Sequence, residues 1–85
     1  MEKKALLNEI YPNADYNMMV QSVFGERILK HADFRTIYEC SEVYGLPRQV
    51  VIMLLEYCVS KFGKRVPSKL IGDEALRWVR EGIDS

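Results

Sequence analysis

The sequence predicts an all-α fold, on three observations. No segment alternates apolar and polar residues cleanly, as a half-buried strand would. Apolar residues instead recur at three- and four-residue spacings in successive windows. Glycine or proline separates those windows, at Pro12, Gly25, Gly45, Pro47, Gly63, Pro67 and Gly82. The pattern reads as one compact domain over residues 1–85, with about five helices and no internal repeat.

Residues 3–11 form the first predicted helix. Leu6, Leu7, Ile10 and Tyr11 make a short apolar stripe that Pro12-Asn13 breaks. A second helix is predicted over about 15–25. Asp15 suits its cap, Gly25 its end, and Tyr16, Met19, Val20, Val23 and Phe24 share a face. The connector Glu26–His31 is expected to carry Ile28 and Leu29 inward. The third helix spans about 33–44, with Phe34, Ile37, Tyr38 and Ser41 on one face and Gly45 as its stop.

The stretch LPRQVVIMLLEYCVSKFG is ambiguous by periodicity alone. Val50 to Leu55 are consecutively apolar, as in a buried strand. Length decides for a helix over 47–62, because the span between Pro47 and Gly63 exceeds the usual strand of about 3–10 residues. Apolar almost all round, it is expected to be the central, buried helix. Phe62 is expected to be its last core contact. The fifth helix spans about 67–81, opened by Pro67 and closed by Gly82. Ile71, Ala75, Trp78 and Val79 form its apolar stripe, so Trp78 is expected in the core. Lys69, Asp73, Arg77 and Arg80 lie off that stripe. Gly72 sits mid-helix, which suggests close approach of another helix.

Composition excludes several functions. The chain has 85 residues and no net charge, and 48% of it is hydrophobic. No apolar run approaches the roughly 20 residues of a membrane span, and no secretory signal opens the chain. Cys40 and Cys58 are the two cysteines and read as reduced, buried thiols of a cytoplasmic protein. With His31 the single histidine, they do not supply the about four ligands of a structural zinc site. No phosphate loop, nucleophile elbow or metal-binding helix is present. Asp73 and Glu74 are adjacent and diverge by about 100° on a helix, so they form no acid–base pair. The sequence therefore predicts neither an enzyme nor a cofactor.

Charge is distributed unevenly. Between residues 46 and 69, Arg48, Lys61, Lys64, Arg65 and Lys69 face Glu56 alone. A short loop containing Gly63 cannot bury Lys61, Lys64 and Arg65. Lys69, Arg77 and Arg80 follow on the next helix. These six cations, Lys61, Lys64, Arg65, Lys69, Arg77 and Arg80, are the candidate DNA-binding residues. They predict weak, salt-sensitive, sequence-tolerant contact with phosphates.

Short motifs add a resemblance. VFGERIL at 23–29, SEVYGLP at 41–47, KRVP at 64–67 and WVREGI at 78–83 resemble the C-terminal domain of DnaD- and DnaB-type primosome proteins of Gram-positive bacteria and their phages. The resemblance spans about 16–83. Trp78, Gly82 and Ile83 fit the closing motif, where they read as structural. The family's Tyr-x-x-x-Ile-x-x-x-Trp spacing departs here, with Leu70 and Glu74 at the first two positions. The resemblance implies a helical replication-initiation module that binds DNA and contacts replication initiation proteins. A homo-oligomer, with a second copy of the chain as partner, is a separate expectation. In that family a tail after the tryptophan helix assists DNA binding. Here Asp84-Ser85 follow, as in a stripped module or a piece excised from beside a winged-helix domain. The alternative is a protein–protein adaptor with no DNA binding of its own.

Overall fold

The computed structural model describes residues 14–82. These form four helices and no strand: α1 Ala14–Phe24, α2 His31–Glu42, α3 Arg48–Phe62 and α4 Ser68–Arg80. The helix expected over 3–11 lies outside the described residues.

Punctuation sets the boundaries. Gly25, Gly45, Gly63 and Gly82 all take positive φ. In that region a residue with a Cβ is strained, so glycine turns the chain cheaply there. The starts differ from expectation. α2 begins at His31 rather than 33, because the Asp33 carboxylate reaches back to accept the Lys30 backbone N–H at 2.9 Å. Pro47 and Pro67 stand just outside their helices in extended geometry rather than in the first turn. Each carbonyl still accepts from the turn that follows, Val51 N–H at 2.9 Å and Leu70 N–H at 3.0 Å.

α3 packs against each of the other three helices, and α2 packs closely on α4. Val50, Val51, Leu54, Leu55 and Cys58 of α3 are buried with Val20 and Phe24 of α1, Ile37 and Cys40 of α2, and Ile71 and Ala75 of α4. α3 is not enclosed all round, since Met53 is half exposed and Ile52 and Val59 are only partly covered. Trp78 is 8% exposed, its ring 5.9 Å from that of Tyr57.

Two apolar stripes are narrower than the spacing suggests, and the connector buries one residue fewer. On α1, Tyr16, Val20 and Phe24 are buried while Met19 faces outward. A ridge of every fourth residue is what one neighbouring helix can take up. Val79 on α4 is exposed, and so is Ile28, at 80%. Leu29 is buried, and adjacent residues in a non-helical connector point to opposite sides, so only one of the two could go inward.

Candidate anion-binding site

The turn between α3 and α4 gathers cations because one residue of it is taken by the core. Val66 is buried, with its N–H on the Gly63 carbonyl at 3.2 Å. Lys64 and Arg65, which precede it, are left exposed. Arg27 reaches this turn from the connector between α1 and α2. Its Nη1 donates to the Lys64 carbonyl at 3.0 Å and to the Val66 carbonyl at 2.6 Å. Its Nη2 donates to Asp33 Oδ1 at 3.3 Å, and the guanidinium lies 5.2 Å above the Phe24 ring. Asp33 itself is buried. Gln21 holds the connector, its amide donating to the Arg27 carbonyl at 2.7 Å and the Gly25 carbonyl at 3.1 Å.

The two loops enclose a cleft of about 970 Å³. Arg27, Ile28 and Lys30 line one side, and Lys64, Arg65 and Ser68 the other. Gly25 forms part of the wall for a specific reason. A Cβ there would stand 3.1 Å from Lys64 Nζ, so the bare glycine leaves the lysine its path. Glu26 and Asp33 are the acids of the lining, and Asp33 is taken up by Arg27. Among the described residues, no carboxylate lies within ion-pair distance of Lys30, Lys64, Arg65, Lys69 or Arg80. The first turn of α4 opens beside the cleft with no side-chain cap and no acid. Cations beside uncovered backbone N–H groups attract an anion.

The six cations do not form one patch. Lys64 and Arg65 share the cleft. Lys61 Nζ instead donates to Tyr57 Oη at 3.3 Å and lies 5.6 Å from the Tyr57 ring and 5.3 Å from the Phe62 ring. Phe62 is 39% exposed, so it is a partner of Lys61 at the surface rather than the last core contact of α3. Arg77 belongs to this second cluster, with Nη2 3.5 Å from Tyr57 Oη. It is neutralised as well. Glu74 Oε2 accepts from its Nη2 at 2.7 Å and its Nε at 3.1 Å, and Glu81 Oε2 from its Nη1 at 3.0 Å. Donating to the Glu74 carboxylate raises the pKa of the guanidinium further. Lys69 and Arg80 are exposed at opposite ends of α4, about 16 Å apart along its axis. Trp78 is in the core, Gly82 turns the chain after α4, and Ile83 lies outside the described residues.

Sequence reading missed Arg27, Lys30 and Ser68. Arg27 and Lys30 carried one signal, two cations in a six-residue connector, masked by the neighbouring acids Glu26 and Asp33. No group of His, Cys, Asp and Glu suited to a metal ion occurs among the described residues. None of the described helices is long and apolar enough to cross a membrane.

A family model described as replication initiation and membrane attachment matches residues 21–85. No curated protein and no solved structure matches the chain.

Proposed function

The chain belongs to the replication initiation and membrane attachment family, and on that premise we propose that it is a replication-initiation module that binds DNA weakly through its phosphates and contacts other replication proteins. The observation that supports the DNA-binding half is the cleft, where Lys64 and Arg65 stand exposed and, among the described residues, unmatched by carboxylates. Lys69 and Arg80 extend the contact along α4, and Lys61 and Arg77 flank it beside Tyr57. Such a surface has no base-reading element, so affinity is salt-dependent and sequence-tolerant. The module works in the cytoplasm, where Cys40 and Cys58 stay reduced, and it carries out no catalysis.

A second reading, an adaptor without DNA binding, draws on a different surface of the molecule. Met19 and Val23 of α1 and Ile52 and Val59 of α3 line a shallow groove of about 580 Å³. Met18 and Met53 are exposed as well. Flexible methionines suit a surface that accommodates a protein partner.

A salt titration of binding to a labelled oligonucleotide separates the two readings. The wild-type chain should bind at low salt and lose affinity steeply as salt rises. A Lys64→Glu/Arg65→Glu double variant should keep its fold and lose most binding, its log–log salt slope falling by about two units. Unchanged affinity in that variant would refute the phosphate-contact reading and leave the adaptor.

A further inference from the structure

We infer that the cleft between residues 25–30 and 63–68 is the phosphate-holding centre for a nucleic-acid strand, with Lys30 as its third cationic ligand beside Lys64 and Arg65, and with Arg27 and Asp33 as positioning residues that tie its two walls together. This rests on the DNA-binding reading above and adds residues from a part of the chain that reading does not use.

Arg27 does not serve as a ligand. Its Nη1 is engaged by two backbone carbonyls and its Nη2 by a carboxylate, and the side chain is only 18% exposed. Those carbonyls belong to Lys64 and Val66, 37 and 39 residues away in the chain. The guanidinium is therefore a strut between the connector and the α3–α4 turn. A carboxylate paired inside a small domain contributes little net stability after its desolvation, so the consequence of this pair is mainly geometric.

Asp33 completes the device. One oxygen takes Arg27, and the other takes the Lys30 backbone N–H at 2.9 Å. The main chain of Lys30 is thus anchored by the same carboxylate that anchors the opposite wall. Lys30 lines the cleft, and among the described residues its ammonium has no carboxylate partner. Stability does not account for this cation, because Lys30 stands at the positive end of the α2 dipole. Within the lining, Arg27 and Asp33 cancel, and Lys30, Lys64 and Arg65 outnumber Glu26.

The shape favours a strand over a lipid surface. These cations line the walls of a recess, which a flexible polyanion can enter and a flat bilayer cannot follow. Ile28, 80% exposed on the lining, offers an apolar contact for a sugar or base.

The test measures binding of labelled oligothymidylate across a salt series, with thermal melts of each variant. Lys30→Glu should retain its melt, bind about tenfold more weakly and show a salt slope lower by about one unit. Lys30→Arg should bind as wild type. Arg35→Glu, the same charge change at an exposed position of α2 outside the cleft, should have a much smaller effect. Wild-type binding by Lys30→Glu, while Lys64→Glu/Arg65→Glu loses it, would overturn this inference and leave the reading it rests on intact. Wild-type binding by both would overturn that reading too. An equal loss in Arg35→Glu would reduce the effect to overall charge, and Lys30-dependent binding to phosphatidylglycerol vesicles in place of the oligonucleotide would assign the cleft to a membrane. Both outcomes overturn the inference. The positioning role has its own readout. In an Arg27→Lys background, Lys30→Ala should weaken binding by a smaller factor than in the wild type, because the wall carrying it is no longer fixed. Equal factors in the two backgrounds would rule that role out.

Discussion

Gly72→Ala should stabilise the protein. Gly72 lies inside α4, flanked by Ile71, buried, and Asp73, exposed. Its φ is not positive, so no backbone conformation there requires glycine. A glycine within a helix costs about 0.8–1.0 kcal/mol relative to alanine. Close approach of another helix would justify that cost only if a methyl group had no room. The neighbour is α2, and a Cβ at position 72 would meet the Thr36 methyl at 3.7 Å, an ordinary van der Waals contact. Nothing opposes the gain in helix propensity, and the new contact adds slightly to it. The expected change is a stabilisation of about 1 kcal/mol, which moves the melting temperature of a domain this size up by about 4–8 °C. Urea unfolding followed by circular dichroism measures it, with the slope unchanged and the midpoint raised. A lowered midpoint would refute the reasoning, because it would mean that α2 and α4 pack more closely than a methyl group allows.

Trp78→Ala should remove about 3–5 kcal/mol from a domain whose total stability is about 4–8 kcal/mol, since the ring is 8% exposed and packed beside Tyr57. Loss of a cooperative melt is expected, and an unchanged melt would show that the indole is not a core group. Burial pushes Cys40 up to about 12 and Cys58 up to about 11, so both should label slowly with a thiol reagent unless denaturant is added. The same shifts fix a pH dependence. Below the ordinary thiol value of 9.0 both states keep their protons and stability is full. As pH rises through 9 toward 11–12 the unfolded chain ionises first, and stability falls by up to about 1.4 kcal/mol per pH unit for each thiol. A urea midpoint constant between about pH 8 and 10, or one falling equally in a Cys40→Ala/Cys58→Ala variant, would contradict this assignment.

Helix content was legible because punctuation is local. Each glycine that stops a helix takes positive φ, and that requirement depends on a few neighbouring residues. Which apolar residues are buried was less legible. Met19, Ile28, Phe62 and Val79 all fit a periodic or connector pattern, yet each is exposed, because burial depends on where the partner helix lies. The site divides in the same way. Lys64 and Arg65 could be placed at the surface from a short glycine-containing turn. Lys30 could not be joined to them, because the Arg27 strut spans 37 and 39 residues. The neutralisation of Arg77 was readable, since Glu74 and Glu81 stand three and four residues away on one helix.

Helix dipoles sort the remaining cations by cause. Arg77 and Arg80 occupy the last turn of α4, where positive charge is favoured by a few tenths of a kcal/mol, and Arg77 has two carboxylate partners besides. Helix stability already favours both positions, so they say less about a ligand. The opposite ends show the reverse. α1 and α2 carry Asp15 and Asp33 in their first turns, as the dipole prefers, whereas α4 carries no acid there and has Lys69 instead. Lys30 stands just before α2, while Lys64 and Arg65 lie in the turn between the end of α3 and the start of α4. Lys30 and Lys69 are thus placed where the helix ends disfavour them, and among the described residues none of Lys30, Lys64, Arg65 and Lys69 has a carboxylate partner. Three of the four line one cleft, and Lys69 adjoins Ser68 on its wall. An anion held there would offset the dipole costs at Lys30 and Lys69 and the mutual repulsion of all four cations. Positive charge left without carboxylate partners, collected around one recess, is better explained by what the recess binds than by what the fold needs. The experimental weight therefore belongs on Lys30, Lys64, Arg65 and Lys69 before Arg77 and Arg80.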